Sequence, residues 1–217
     1  FCEYTTVASS HAHKIESKLS SNELASFPCS YSTAENMLSR CKVGIGDKVL
    51  ITGASGGVGS AAIQLAKAKK AYVSAITSSK KLKGVLEIGA DQSIDREKNL
   101  IEELGKDSFD VIIDLVAGPK WPDLLEILRR NGRYAVSGAV AGPHVNLDVR
   151  TLYLKDQTFF GCTELDRGVF DRLVKTIQEG LIRPLVAEIY PLKQIGLAQE
   201  SFNKKKFVGK IVLEISK

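Results

Sequence analysis

Gly53-Ala54-Ser55-Gly56-Gly57-Val58-Gly59 stands between the apolar run Lys48-Val49-Leu50-Ile51-Thr52 and the helical pattern Ser60-Ala61-Ala62-Ile63-Gln64-Leu65-Ala66. A strand, a glycine-rich turn and a helix in that order make a phosphate-binding site. Residues without side chains let the backbone approach a pyrophosphate, and the unpaired N–H groups at the helix start stabilise its charge. Ala54-x-Gly56-x-x-Gly59 is the dinucleotide fingerprint with alanine in its first place. Because both the strand and the helix are present, the nucleotide reading is preferred to a plain glycine-rich connection.

Outward from this turn, apolar runs alternate with helix-period segments from residue 34 to residue 163. The spacing predicts strands at Lys48–Thr52, Ala71–Thr77, Gln92–Ile94, Asp110–Leu115, Gly132–Ser137 and Thr158–Cys162. Helices are expected at Ala34–Cys41, Ser60–Lys69, Lys81–Ile88, Leu100–Leu104, Lys120–Arg130 and Gly168–Glu179. Six strands with helices between them imply an α/β fold, a doubly wound parallel six-stranded Rossmann sheet with ligands at the carboxyl ends of the strands. Several of those ends carry small or polar residues: Thr77-Ser78, Val116-Ala117-Gly118, Ser137-Gly138 and Cys162-Thr163. At the chain ends, Glu3–Val7 and His13–Ile15 read as short strand-like pieces, and Gly209–Ile215 as a half-buried strand.

With 217 residues, 44% of them hydrophobic, the chain can bury a substantial core. A net charge of +5, spread along the sequence apart from Lys204-Lys205-Lys206, suits an anionic small ligand and does not require nucleic acid. No window is long and apolar enough for a membrane span, and the four cysteines are too scattered for a disulfide framework, so we expect a cytoplasmic protein with no membrane partner.

The end of the second strand speaks to the cofactor. NAD-dependent proteins usually carry an acid there for the ribose hydroxyls, whereas this chain has Ile76-Thr77-Ser78-Ser79-Lys80-Lys81. Small hydroxyls and a lysine suit a 2′-phosphate, so NADP(H) is favoured over NAD(H). The expected cofactor contacts are Ser55, Gly56, Gly57 and Val58 on the turn, Thr77, Ser78 and Lys81 after the second strand, and Val116, Ser137 and Gly138 at later strand ends. Arg96 is either a further contact to the adenine or 2′-phosphate or a solvated loop charge.

The chain also resembles the medium-chain dehydrogenase/reductase family. The matching residues are Phe1-x-Glu3-Tyr4-x-x-Val7, Phe27-Pro28-Cys29 followed by Thr33-Ala34, Gly46-Asp47-x-Val49-Leu50-Ile51 and Gly53–Gly59. Further matches are Gly89-Ala90-Asp91, Asp110–Asp114, Gly132-Arg133 with Gly138, and Gly209–Leu213. Its quinone oxidoreductase-like and zinc-type alcohol dehydrogenase-like branches are the most similar, with enoyl-thioester reductases nearby. The resemblance implies hydride transfer between a nicotinamide and a quinone, carbonyl or activated alkene, and it brings Thr33 into the cofactor site. It implies that residues 1–33 are a remnant of a GroES-like catalytic domain, 34–163 the NADP-binding domain, and 164–217 a closing segment returning to the catalytic domain. On this view most of that domain is missing, the chain as given is catalytically incomplete, and no acid–base residue is named. Cys29 matches a catalytic zinc ligand whose partners would lie in the absent segment, so it is either an orphan ligand or a small packing residue, with zinc possible only in a full-length form. The alternatives are a zinc-dependent alcohol dehydrogenase or a non-catalytic dinucleotide-binding module. The sixth strand, an open sheet edge, is expected to pair in a homodimer. The family commonly has glycine at the position of Lys70, so strain or a different cap is expected there. His11, His13 and His144 are read as polar surface.

Overall fold

The structure is a computed structural model and describes residues 1–215. In chain order its elements are α1 (Ser21–Ala25), α2 (Ser30–Arg40), β1 (Lys48–Ile51), α3 (Gly57–Ala68), β2 (Tyr72–Thr77), α4 (Leu82–Glu87), β3 (Gln92–Asp95), α5 (Leu100–Leu104) and β4 (Phe109–Asp114). They continue with α6 (Trp121–Ile127), β5 (Leu128–Val136), α7 (Val149–Leu154), β6 (Thr158–Gly161), α8 (Val169–Gln178), β7 (Val186–Pro191), α9 (Ile195–Lys204) and β8 (Lys210–Glu214).

Six parallel strands pair in the order β3-β2-β1-β4-β5-β6, so the chain reverses direction across the sheet between β1 and β4. Successive side chains on a strand point to opposite faces, and both faces here are covered, which explains the unbroken apolar runs. Val49, Ile51, Val111 and Ile113 join one core layer with Met37, Ile63 and Leu173, while Leu50 and Ile112 join the other with Trp121, Leu124 and Tyr134. The second sheet is the parallel pair β7-β8, connected through α9.

A buried acid ties three helices on the first face. Glu35 of α2 is 2% exposed; it receives the Ser39 hydroxyl at 2.8 Å, Lys69 at 3.2 Å and Arg172 of α8 at 3.1 Å. Both cations retain solvent contact, so they lower the cost of burying the carboxylate without being fully desolvated themselves.

Several expectations need correction. Residues 3–7 and 13–15 form no strand, and a single turn of 3-10 helix at Ser9–His11 is the regular structure of the first twenty residues. An extended segment becomes a strand only when a neighbour takes its hydrogen bonds, and no strand of the described residues lies beside these. Helix α6 ends at Ile127 rather than Arg130, because β5 begins at Leu128, opposite Phe109, ahead of a register shift. Asn131, at φ 57°, turns the backbone inside that extension. Helix α2 starts at Ser30, four residues early, and a 3-10 turn at Ser79–Lys81 precedes α4. Elements α1, α7, β7 and α9 are absent from the expectations. Lys70 does occupy the glycine-like place: its φ is 62°, and Ala71 N donates to Ala66 O at 3.1 Å in the closure of a helix end. The final strand spans 210–214; Ser216 and Lys217 lie outside the described residues.

Glu35→Gln removes the charge from the three-helix contact while keeping its shape. We expect a loss of about 1.5–3 kcal/mol of unfolding free energy in urea, the range for a hydrogen bond to a charged group, with an unchanged denaturant slope.

Candidate dinucleotide site

The turn after β1 is shaped by close approaches. A Cβ at Gly59 would lie 2.4 Å from Gly53 O and 2.6 Å from Ala54 Cα, so α3 rests directly on the turn only because residue 59 has no side chain. One at Gly57 would meet Ser30 Oγ at 2.7 Å, which brings the starts of α2 and α3 together. Gly53 has φ 60°, a conformation that favours glycine. Gly56 is exposed, and its missing side chain would approach nothing closer than Gly53 O at 3.4 Å.

Gly56 is the N-cap of α3 and offers no side-chain acceptor. The first N–H groups of a twelve-residue helix are therefore left for a ligand, on the positive end of its dipole. These features fit a dinucleotide pyrophosphate: an exposed glycine where a phosphate must come close, and uncapped donors beside it.

The structure brings Ser55 and Thr77 together, with the Thr77 hydroxyl donating to Ser55 Oγ at 3.0 Å. Ser78 follows at the edge of β2. Lys81 Nζ donates to Phe207 O at 2.8 Å, so part of its hydrogen-bonding capacity is already used. Burial holds its ammonium below the usual lysine range, and the charges of Lys205 and Arg96 add to the effect. Three cations thus share the end of β2. Arg96 lies in solvent and its Nε donates to Glu97 at 2.9 Å.

Lys210, absent from the expected site, was brought in by the fold. Its Cγ lies 3.7 Å from where a Gly57 side chain would begin, and its Nζ donates to Pro28 O at 3.2 Å. Burial lowers the pKa of its ammonium. No local pattern signals this role, since strand β8 and the turn are some 150 residues apart in the chain.

At the other end of the site, Val136, Ser137, Gly138 and Ala139 after β5 face Gly161, Cys162, Thr163 and Glu164 after β6 across an open cleft of about 640 Å³. Ser137 Oγ donates to Cys162 O at 2.6 Å, which leaves that hydroxyl its lone pairs for a ligand. A Cβ at Gly138 would lie 2.7 Å from Leu115 O, so this glycine is needed for packing against the β4 turn. Arg40 of α2 forms one wall, donating from Nη1 to Gly161 O at 2.9 Å and from Nη2 to Asp166 at 3.0 Å. Asn36 pins the same loop by donating to Glu164 O at 2.9 Å and accepting from Asp166 N at 3.1 Å. Val116 sits at the turn after β4, beside Gly53. Thr33 lies half-buried in the first turn of α2.

Cys29 is exposed and has φ 67° and ψ −64°, with Ser30 N donating to Pro28 O at 3.0 Å across it. This is a classic γ-turn, a rare conformation that opens α2. Among the described residues no group of three or more His, Cys, Asp or Glu could hold a metal ion, so these residues do not by themselves fit a zinc. His13 instead stacks on Phe170 at 5.0 Å, with Asp171 3.7 Å from its Nδ1. Among the same residues no helix is long and apolar enough to cross a membrane.

Residues 57–179 match the family described as zinc-binding dehydrogenase. The chain belongs to that family. It is a medium-chain dehydrogenase/reductase, as its motifs led us to expect. Among relatives of this chain is an acryloyl-coenzyme A reductase of Metallosphaera sedula, 33% identical, the alignment covering 98% of this chain and 64% of the relative. Human quinone oxidoreductase is 29% identical, with 98% and 68% covered. A solved structure from Sinorhizobium meliloti 1021, provisionally named an alcohol dehydrogenase, is 45% identical with a TM-score of 0.89, covering 95% of this chain and 59% of that one. The chain therefore spans about three fifths of the length of such relatives.

The two fingerprint glycines should separate by experiment. Gly56→Val has room in the free protein, so the variant should keep its melting temperature and lose NADPH affinity in a fluorescence titration. Gly59→Ala pushes a methyl against the turn and should cost about 1–3 kcal/mol of stability, read by urea unfolding.

Proposed function

We propose that this protein is an NADP(H)-dependent oxidoreductase transferring hydride between a nicotinamide and a quinone, carbonyl or activated alkene. The observation that carries this reading is the uncapped start of α3 on its glycine turn, with Thr77, Ser78, Lys81, Arg96 and Lys205 gathered at the end of β2. When bound, the nicotinamide supplies the hydride chemistry, and the protein binds, orients and excludes water. The α3 N–H groups and Lys210 would receive the pyrophosphate. Lys81, with Lys205 nearby, would receive the 2′-phosphate. The cleft between the β5 and β6 ends would receive the nicotinamide, walled by Arg40 and floored by Ser137 and Gly138. The names of the relatives, a quinone oxidoreductase and an acryloyl-coenzyme A reductase, support an acceptor that takes hydride at a conjugated carbon.

The same proposal divides the chain at residues 33 and 163, assigning both outer segments to a catalytic unit. Support comes from the separate β7-β8 sheet and from Asn22, whose Nδ2 donates to Glu214 at 3.4 Å between those segments. We also propose a homodimer through the open edge of β6, supported by the exposed apolar residues Val149, Tyr153 and Leu154 on the adjoining α7. The cysteine spacing supports a cytoplasmic location.

NADPH should bind more tightly than NADH in a nicotinamide fluorescence titration. Lys81→Ala should weaken NADPH by about tenfold or more and leave NADH nearly unchanged, about 1.4 kcal/mol per factor of ten. Equal affinities in the parent chain would refute the 2′-phosphate assignment.

A further inference from the structure

Asp114, the last residue of β4, has no exposed surface. Its Oδ1 accepts the Thr52 hydroxyl at 2.5 Å and Val116 N–H at 2.9 Å, and its Oδ2 accepts the Tyr134 hydroxyl at 2.5 Å. Ala117 N–H reaches both oxygens at 3.2 Å. The proton directions follow from the outer partners. Trp121 Nε1–H can only donate, and it donates to Tyr134 Oη at 2.8 Å, so the phenol turns its own proton to Asp114. Leu115 N–H likewise donates to Thr52 Oγ1 at 3.0 Å, which directs the Thr52 proton to Asp114. Thr52, Val116, Ala117 and Tyr134 all donate to the carboxyl, as a carboxylate requires, and each is electrically neutral. Burial, with Asp114 beside it, pushes the Tyr134 phenol far above its ordinary range, so it stays a protonated donor.

This charge lies directly beneath the turn Val116-Ala117-Gly118, at the carboxyl edge of the sheet. A Cβ on Gly53 would lie 3.2 Å from Val116 Cγ2, so the turn also borders the phosphate loop. A nicotinamide ring is neutral when reduced and cationic when oxidised. A fixed negative charge in a poorly polarisable interior therefore acts on the two forms differently. Resting on the cofactor reading above, we propose that Asp114 sets the redox balance of the site, holding NADP⁺ more tightly relative to NADPH and easing departure of the hydride with its electron pair. A residue that only shapes the turn would alter both affinities together.

The test measures dissociation constants for NADP⁺, NADPH and 2′,5′-ADP on the whole chain at pH 8. In Asp114→Asn the ratio of the NADP⁺ constant to the NADPH constant should rise about threefold to tenfold, with 2′,5′-ADP unchanged. An unchanged ratio, even with both forms weakened, overturns the proposal. Tyr134→Phe keeps the charge and removes one donor, so its ratio should be no higher than that of the parent chain; a rise there also overturns it, and this holds if Asp114→Asn fails to fold. A folded parent chain that binds none of the three ligands would overturn the cofactor reading itself, an outcome distinct from an unmoved ratio.

Discussion

The contact of Gly59 with the backbone of Gly53 and Ala54 sets the geometry of the nucleotide half. With an approach of 2.4 Å to a built Cβ, any side chain at residue 59 would lift α3 away from β1. The helix start, the direction of its free N–H groups and the distance to α2 all follow from that approach. At Gly57 the same device acts between helices, and Glu35 then locks α2 to α3 and α8 through charged hydrogen bonds. Small residues bring the elements close, and a buried acid holds them.

The cleft to which we assign the nicotinamide is built on another principle. There the strand ends are joined by polar side chains rather than by close backbone contact. Asp114 ties β1, β4 and β5, Ser137 joins β5 to the β6 exit, and Arg40 and Asn36 hold the loop beyond β6. These side chains give much of their hydrogen-bonding capacity to the scaffold, while the Ser137 hydroxyl keeps its lone pairs free. Recognition at this end is thus left chiefly to backbone groups and to the shape of the cleft, which suits a planar ring with a carboxamide.

How much was legible depended on whether the signal was local. The sheet could be read because both layers of its core demand apolar residues on every central strand, and the glycine turn because β1 and α3 are contiguous with it. Ser55, placed on the glycine turn, and Thr77, placed at the end of the second strand, do meet. Lys210, Arg40 and Asp114 could not be singled out as site residues, since their roles arise from approaches across the fold. The N-terminal pieces misled for the opposite reason: Glu3–Val7 has strand-like alternation, yet a strand is a property of two segments. The β5 start shifted because Leu128 found a partner in Phe109, which no helical periodicity could reveal.

The joining of the chain ends bears on how the protein is made. Asn22 meets Glu214, Pro28 O accepts from Lys210, and Tyr31 Oη donates to Arg183 O at 3.4 Å, so segments more than 150 positions apart complete one surface. The central sheet grows from neighbouring βα units and can assemble while the chain is still being synthesised. Its N-terminal segment cannot dock until β8 has emerged from the ribosome, and loop closure over such a span is entropically costly and slow. The proposed phosphate pocket, which needs the start of α2 and Lys210 at once, is therefore among the last features to form. A nascent chain stalled before residue 210 would display the fingerprint turn without the finished pocket.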